Sequence, residues 1–173
     1  PNYAGELGFT ASETTGCSFF GGYGVTEEGY YRIKSEDNTT LCHVQLDQVN
    51  LTTLVVGAVA HFEIHVYLPN LEWAAGDSIK VWIEVDTGEE IVLVDTTGHD
   101  LDVSAQEFGL TEGAWSTVQT ASNSLNGKSW MRAYFGVRSS SMELFVLLDD
   151  VMVSTWLSAN NNYELCTPNP CQN

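Results

Sequence analysis

The sequence predicts an all-β fold, an antiparallel β-sandwich or jelly roll with polar N- and C-terminal extensions. Many short stretches alternate apolar and polar side chains, which is the two-residue period of a strand with one buried face. No long stretch repeats the i, i+3, i+4 pattern of an amphipathic helix. Hydrophobic residues make up 43% of the 173 residues, which is enough for the core of one domain.

The predicted strands follow one another with turn residues between them. Three strands alternate most clearly, and their inward sets are Phe62, Ile64, Val66 and Leu68, then Val81, Ile83 and Val85, then Met131, Ala133, Phe135 and Val137. Further strands are predicted near 29–34, 40–49, 91–95, 115–120, 143–148 and 150–156. Residues 35–38 predict a turn, and residues 86–89, Asp-Thr-Gly-Glu, predict a tight hairpin. About nine or ten such strands are typical of a sandwich.

Composition divides the chain into three parts. Residues 1–24, rich in Gly, Thr and Ser, are predicted to be an N-terminal extension or a first strand. Residues 25–156 are predicted to form the sandwich, and the polar residues 157–173 a disulfide-closed C-terminal tail. The chain begins at Pro1, so we expect that an N-terminal segment was removed, and the sequence leaves open whether that was a signal peptide.

Four cysteines indicate disulfides. Cys17, Cys42, Cys166 and Cys171 are an even number, and they lack the C-x-x-C spacing of a zinc site. Of the three possible connectivities we favour Cys17–Cys42 and Cys166–Cys171, because Thr-Pro-Asn-Pro between the last two is a turn-forming insert. Disulfides predict an oxidising compartment, and hence a secreted, extracellular or cell-surface protein.

The charge balance excludes one class of partner. Six basic residues against 23 acidic ones give a net charge of −17, which repels phosphate backbones and argues against nucleic acid. No apolar run approaches the roughly 18 residues that a membrane helix needs. Two sequons, at Asn38 and Asn50, predict glycosylation, and Asn38 lies in the predicted turn.

Alternation also predicts an outward aromatic patch. If the apolar sets point inward, Tyr67, Trp82 and Tyr134 point outward, accompanied by His65, Glu84 and Arg132. Exposed aromatic rings mixed with a few charges suit a protein interface or sugar stacking, and the chain's own termini could also cover them. These three interpretations stay open.

No arrangement of residues predicts catalysis. His61, Glu63 and His65 share one strand face and could bind zinc or copper, but we favour an outward polar face on a half-buried strand, because no further ligand is evident. Asp86-Thr87-Gly88 has the letters of an aspartic protease motif, but acidic residues follow it in a hairpin turn. No serine lies in a G-x-S-x-G elbow. We therefore predict a protein that is not an enzyme.

The sequence contains a series of short strand and turn motifs, at residues 5–9, 46–52, 76–79, 81–85, 86–90, 113–115 and 145–151. This order resembles the galactose-binding-like jelly rolls, which include many carbohydrate-binding modules of secreted or surface proteins. The resemblance implies a jelly-roll fold and an extracellular setting. It also implies a structural Ca²⁺ between the N-terminal segment and the closing strand, with Glu6, Asp37 and Asp150 as ligands and Asp149 beside them.

Two functions follow as hypotheses. The first is a non-catalytic structural subunit that self-associates into an extracellular fibre, sheath, coat or matrix, supported by the disulfides, the polar ends and the aromatic patch. The alternative is a carbohydrate-binding module or lectin with a glycan as partner, supported by the resemblance.

Overall fold

A computed structural model describes residues 9–11, 17–21, 31–35, 40–52, 58–74, 76–121, 124–140 and 145–157. The strands in these ranges are β1 (Phe9–Ala11), β2 (Cys17–Gly21), β3 (Tyr31–Ser35), β4 (Cys42–Leu46), β5 (Val49–Asn50), β6 (Ala58–Leu68), β7 (Ser78–Val85), β8 (Glu90–Asp95), β9 (Ala114–Gln119), β10 (Trp130–Arg138) and β11 (Val146–Leu157). One helical turn, α1 (Leu101–Ser104), continues into a 3-10 turn (Ala105–Phe108) between β8 and β9.

The strands form two antiparallel sheets. Sheet A has the order β1-β4-β10-β7-β8, with β5 also paired to β10, and sheet B has the order β2-β3-β11-β6-β9. Every pairing between these strands is antiparallel. The predicted antiparallel β-sandwich is therefore confirmed.

The core lies between the two sheets and includes the inward sets that alternation predicted. Phe62, Ile64 and Val66 of β6 are fully buried, and Ile83 of β7 and Phe135 of β10 meet them from sheet A. Burying a side chain of this size stabilises the fold by about 1.5–3 kcal/mol. Hydrophobic burial in a single cluster thus holds the sheets together.

The first 24 residues contribute strands rather than only an extension. β1 pairs with β4 at the edge of sheet A, and β2 pairs with β3 at the edge of sheet B. Of the two alternatives for residues 1–24, their described part fits a first strand. The predicted tail 157–173 lies outside the described residues, apart from the last residue of β11.

The closing strand differs from its prediction. Two strands were predicted at 143–148 and 150–156, but β11 is a single strand whose register shifts between Asp149 and Met152. The shift reverses the alternation, so that Val153 pairs with inward Phe62 and Met152 is 45% exposed.

One predicted disulfide is confirmed. Cys17 on β2 is bonded to Cys42 on β4, with a Cα–Cα distance of 5.4 Å. The bond connects an edge strand of sheet B to sheet A. The predicted Cys166–Cys171 bond lies outside the described residues.

A buried carboxylate ties two loops together at one end of the β7–β10 pair. Asp77 is 1% exposed, and its Oδ2 accepts a hydrogen bond from the Ala74 backbone N–H at 2.8 Å. Its Oδ1 accepts from the Ser140 backbone N–H. Asp77 immediately precedes β7, and Ser140 follows β10, so one side chain satisfies a donor on each loop.

Candidate functional site

The outer face of sheet A carries an aromatic pair. Trp82 of β7 and Tyr134 of β10 are direct cross-strand partners. Their rings lie parallel, with centroids 5.0 Å apart and an interplanar angle of 5°. Both are half-buried, whereas Val81, Ile83 and Phe135 beside them along the strands are buried in the core. Alternation on two paired strands therefore puts the aromatic pair on the solvent side.

Hydrogen-bonding side chains flank this pair. The Tyr134 hydroxyl donates to Oε2 of Glu84 at 2.8 Å, and Arg132, the cross-strand partner of Glu84, donates to Oε1 of Gln48 at 3.4 Å. Partial burial, followed by the hydrogen bond to Glu84, raises the pKa of the Tyr134 hydroxyl. The phenol is therefore a neutral donor at physiological pH.

A histidine and a lysine also lie beside the aromatic pair. The His43 ring on β4 lies 6.0 Å from the Trp82 ring and 6.1 Å from the Tyr134 ring. The Lys80 ammonium lies 4.8 Å from the centroid of the Trp82 ring. We call the following residues the sheet A patch: His43, Lys80, Trp82, Glu84, Arg132 and Tyr134.

The single aromatic patch that alternation predicted is two patches on opposite sides of the sandwich. Trp82 and Tyr134 lie in sheet A, with Glu84 and Arg132 beside them. Tyr67 and His65 lie on β6 in sheet B. The grouping was wrong because a two-residue period fixes which side of its own sheet a residue faces and says nothing about which sheet a strand joins.

The outer face of sheet B has its own aromatic pair. Tyr67 and Trp115 are cross-strand partners whose rings are 5.5 Å apart and tilted by 57°. Trp115 is 44% exposed. Further along β6, Nε2 of His65 lies 3.3 Å from one Glu63 carboxylate oxygen, and Nε2 of His61 lies 3.8 Å from the other.

The structure adds no metal site to the sequence argument. Within the described residues, no group of three or more His, Cys, Asp or Glu side chains could hold a metal ion, and that includes the His61, Glu63 and His65 row. Of the proposed Ca²⁺ ligands, Glu6 and Asp37 lie outside the described residues, as does the side chain of Asp150. Asp149 is the cross-strand partner of His65 on sheet B. The calcium site stays a prediction.

One of the two sequons lies among the described residues. Asn50 is exposed, and its Oδ1 accepts hydrogen bonds from the Thr52 N–H at 2.8 Å and the Thr52 hydroxyl at 2.6 Å. Asn38 lies outside the described residues.

Asp86 of the Asp-Thr-Gly motif accepts hydrogen bonds from the Ser129 N–H at 2.7 Å and from the Ser129 hydroxyl, and these bonds lower the pKa of Asp86. Asp86 therefore anchors the β7–β8 hairpin to the loop before β10.

Glu112 next to β9 predicts a measurable dependence of stability on pH. Burial, and then the neighbouring carboxylates of Asp102 and Asp100, raise the pKa of Glu112. A raised carboxyl pKa gives stability that is present below the unfolded-state pKa and lost as the pH rises through the folded-state pKa. We expect Glu112→Gln to raise the melting temperature by about 2 °C near neutral pH, from a gain under about 1 kcal/mol, and to leave it unchanged near pH 3.

Thermal melts across this pH range check the prediction, with Glu107→Gln on the exposed 3-10 turn as the matched control. An equal effect of the two substitutions at both pH values would show that folding does not disfavour the ionised Glu112 carboxylate.

Several solved structures have a fold similar to that of this chain. The chain is similar to solved β-sandwich carbohydrate-binding modules. TmCBM61, solved in complex with β-1,4-galactotriose, is 10% identical, with a TM-score of 0.46 over 89% of this chain and 90% of that one. The C-terminal family 22 module of Clostridium thermocellum Xyn10B is 14% identical, with a TM-score of 0.47 over 87% and 88%. TmCBM27, described for mannan recognition, is 13% identical, with a TM-score of 0.44 over 87% and 89%.

No protein-family model and no curated protein matches the chain. None of the helices that the structure describes has the length and apolar character needed to cross a bilayer. Similarities at these identities and scores concern the fold and do not indicate a ligand.

Proposed function

We propose that the protein is a non-catalytic extracellular module that binds a glycan on the sheet A patch. The observation that carries the proposal is the stacked Trp82–Tyr134 pair on an outward sheet face, with hydrogen-bonding side chains around it. The Cys17–Cys42 disulfide supports the extracellular setting.

The chemistry of the patch matches the two surfaces of a sugar. A pyranose ring has apolar C–H faces, which pack on aromatic side chains, and a rim of hydroxyls that need hydrogen-bond partners. Glu84 supplies acceptors, Arg132 supplies donors, and His43 supplies one of each when its ring is neutral.

An assembly subunit is the second candidate, and it has less support. That hypothesis was supported by the disulfides, the polar ends and one aromatic patch, and the aromatic residues of that patch are divided between two faces of the sandwich. Each face is then a smaller apolar area for another chain to cover. A polymer stays a possible outcome of the experiment below.

A pair of matched substitutions tests the glycan site. We expect Trp82→Ala to weaken binding to the best glycan on an array of uncharged oligosaccharides by about 30-fold, or about 2 kcal/mol, because it removes the stacking platform. Trp115→Ala removes an exposed tryptophan from the opposite sheet and should leave the affinity unchanged. Isothermal calorimetry gives both affinities, and melting curves confirm that both variants fold.

Two results would overturn the assignment. Loss of binding in Trp115→Ala but not in Trp82→Ala would move the site to sheet B. Absence of any glycan signal, together with sedimentation of the wild-type protein as a polymer, would favour the assembly hypothesis.

A further inference from the structure

Two side chains lie against the rings of the Trp82 indole. Tyr134 lies parallel to one face at a centroid distance of 5.0 Å. The Lys80 ammonium lies 4.8 Å from the ring centroid. Since Tyr134 comes from β10 on one side of β7, the face it leaves free is turned toward β8 on the other side.

The sheet register shows that Lys80 extends along that second face. Lys80 is the cross-strand partner of Asp95 on β8, yet its ammonium pairs with the carboxylate of Glu90. Glu84 lies four residues beyond Lys80 on β7, and its cross-strand partner on β8 is Glu90. Trp82 and its partner Val92 therefore lie between Lys80 and Glu90 along the strands. At about 3.3 Å per residue, the backbone positions of Lys80 and Glu90 are therefore roughly 13 Å apart along the strand direction.

The space beneath this ion pair has an apolar floor. Val92 of β8 is the cross-strand partner of Trp82 and is 48% exposed. An indole face above an exposed valine is a suitable site for the apolar face of a sugar ring. Lys80 is the side chain that lies across it.

We propose that the Lys80–Glu90 ion pair is a displaceable cover over the sugar-stacking face of Trp82. This inference rests on the proposed glycan function. An uncharged sugar ring reaches the indole only when Lys80 moves aside, and its binding therefore competes with the cation–π contact and the ion pair. Lys80 limits affinity for uncharged glycans instead of contributing to it.

The cover predicts an unusual salt dependence. Salt screens exposed ion pairs, and at about 0.1 M ionic strength the Debye length is already about 10 Å. Screening loosens Lys80 from Glu90 without affecting an uncharged ligand. Affinity for an uncharged glycan should therefore rise with salt, by about two- to threefold between low salt and 0.5 M, since each exposed contact is weak.

Three variants and a salt series test the cover. The probe is the uncharged oligosaccharide that binds the wild-type chain most tightly on the array, measured by calorimetry. We expect Lys80→Ala to bind it about fivefold more tightly and to lose the salt dependence. Glu90→Gln should show a smaller gain. Lys128→Ala is the matched control, because Lys128 forms a similar exposed ion pair with Glu89 at 2.6 Å in the hairpin region.

The results separate the cover from the site itself. If Trp82→Ala weakens binding and Lys80→Ala leaves it unchanged or weaker, the glycan site stands and the cover is wrong. The same conclusion follows if Lys128→Ala tightens binding as much as Lys80→Ala. If Trp82→Ala has no effect, or the wild-type chain binds no glycan, both proposals fail.

Discussion

Replacing Asp77 with alanine is expected to lower the free energy of unfolding by about 3 kcal/mol, and the melting temperature by about 10 °C. The carboxylate accepts backbone hydrogen bonds from Ala74 and Ser140, and the alanine side chain offers neither acceptor. A hydrogen bond to a charged group contributes about 1.5–3 kcal/mol, and the buried Asp77 carboxylate accepts two of them. Chemical denaturation with fluorescence detection measures the change.

An isosteric variant sharpens this prediction. Asp77→Asn keeps one oxygen but turns an N–H₂ donor toward one of the two backbone N–H groups, so it should lose part of the same stability. Glu107→Ala, at an exposed position, controls for the loss of one negative charge from a very acidic chain. If Asp77→Ala unfolds at the same denaturant concentration as Glu107→Ala, the loop tie is not stabilising.

The faces of individual strands could be read from the sequence because alternation is a local property. Phe62, Ile64, Val81, Ile83 and Phe135 were all predicted to point inward, and all are buried. A side chain's face follows from the parity of its position along one strand. Strand pairing is not local, since β6 pairs with β9 and β11 and β7 with β8 and β10. For this reason the faces were predicted correctly and the grouping of aromatic residues was not.

The departures from the predicted elements have local causes. Two acids at 149–150 interrupt the apolar alternation and predict a break, but the backbone ladder continues through an irregularity. The helical turns at 101–108 are too short to show a period of 3.6 residues. The sequence signal for these helical turns was Asp100, an N-cap residue whose side chain accepts a hydrogen bond from the Asp102 N–H at 3.1 Å.

Part of the sheet A patch could be predicted and part could not. Trp82, Glu84, Arg132 and Tyr134 follow from alternation on two strands. His43 and Lys80 were missed because their importance depends on the register that brings them to the aromatic pair. Trp115 alternates with buried Ser116 and Val118 and shares its outward face with Thr117 and Gln119, so its exposure had a sequence signal as well.

The Cys17–Cys42 disulfide joins an edge strand of one sheet to the other sheet. β2 is an edge strand of sheet B and pairs only with β3 among the described strands. Its bond to β4 ties this edge to sheet A, across a sequence separation of 25 residues. Closing a loop of that length removes conformational freedom from the unfolded chain, worth about 3 kcal/mol in the chain-entropy model.

Replacing Cys17 and Cys42 together with alanine is therefore expected to lower the free energy of unfolding by about 3 kcal/mol, with the largest increase in hydrogen exchange at β2. The double substitution is preferable to a reductant, because a reductant would also break the predicted Cys166–Cys171 bond. Cys166→Ala combined with Cys171→Ala is the matched control, and the smaller loop that this predicted bond would close predicts a smaller loss. Equal stability of the Cys17/Cys42 double variant and the wild-type chain, or alkylation of Cys17 without reductant, would contradict the role assigned to this bond. If stability falls while exchange rises evenly over both sheets, the effect on the unfolded chain accounts for the whole loss, and the bond is not a local anchor for β2.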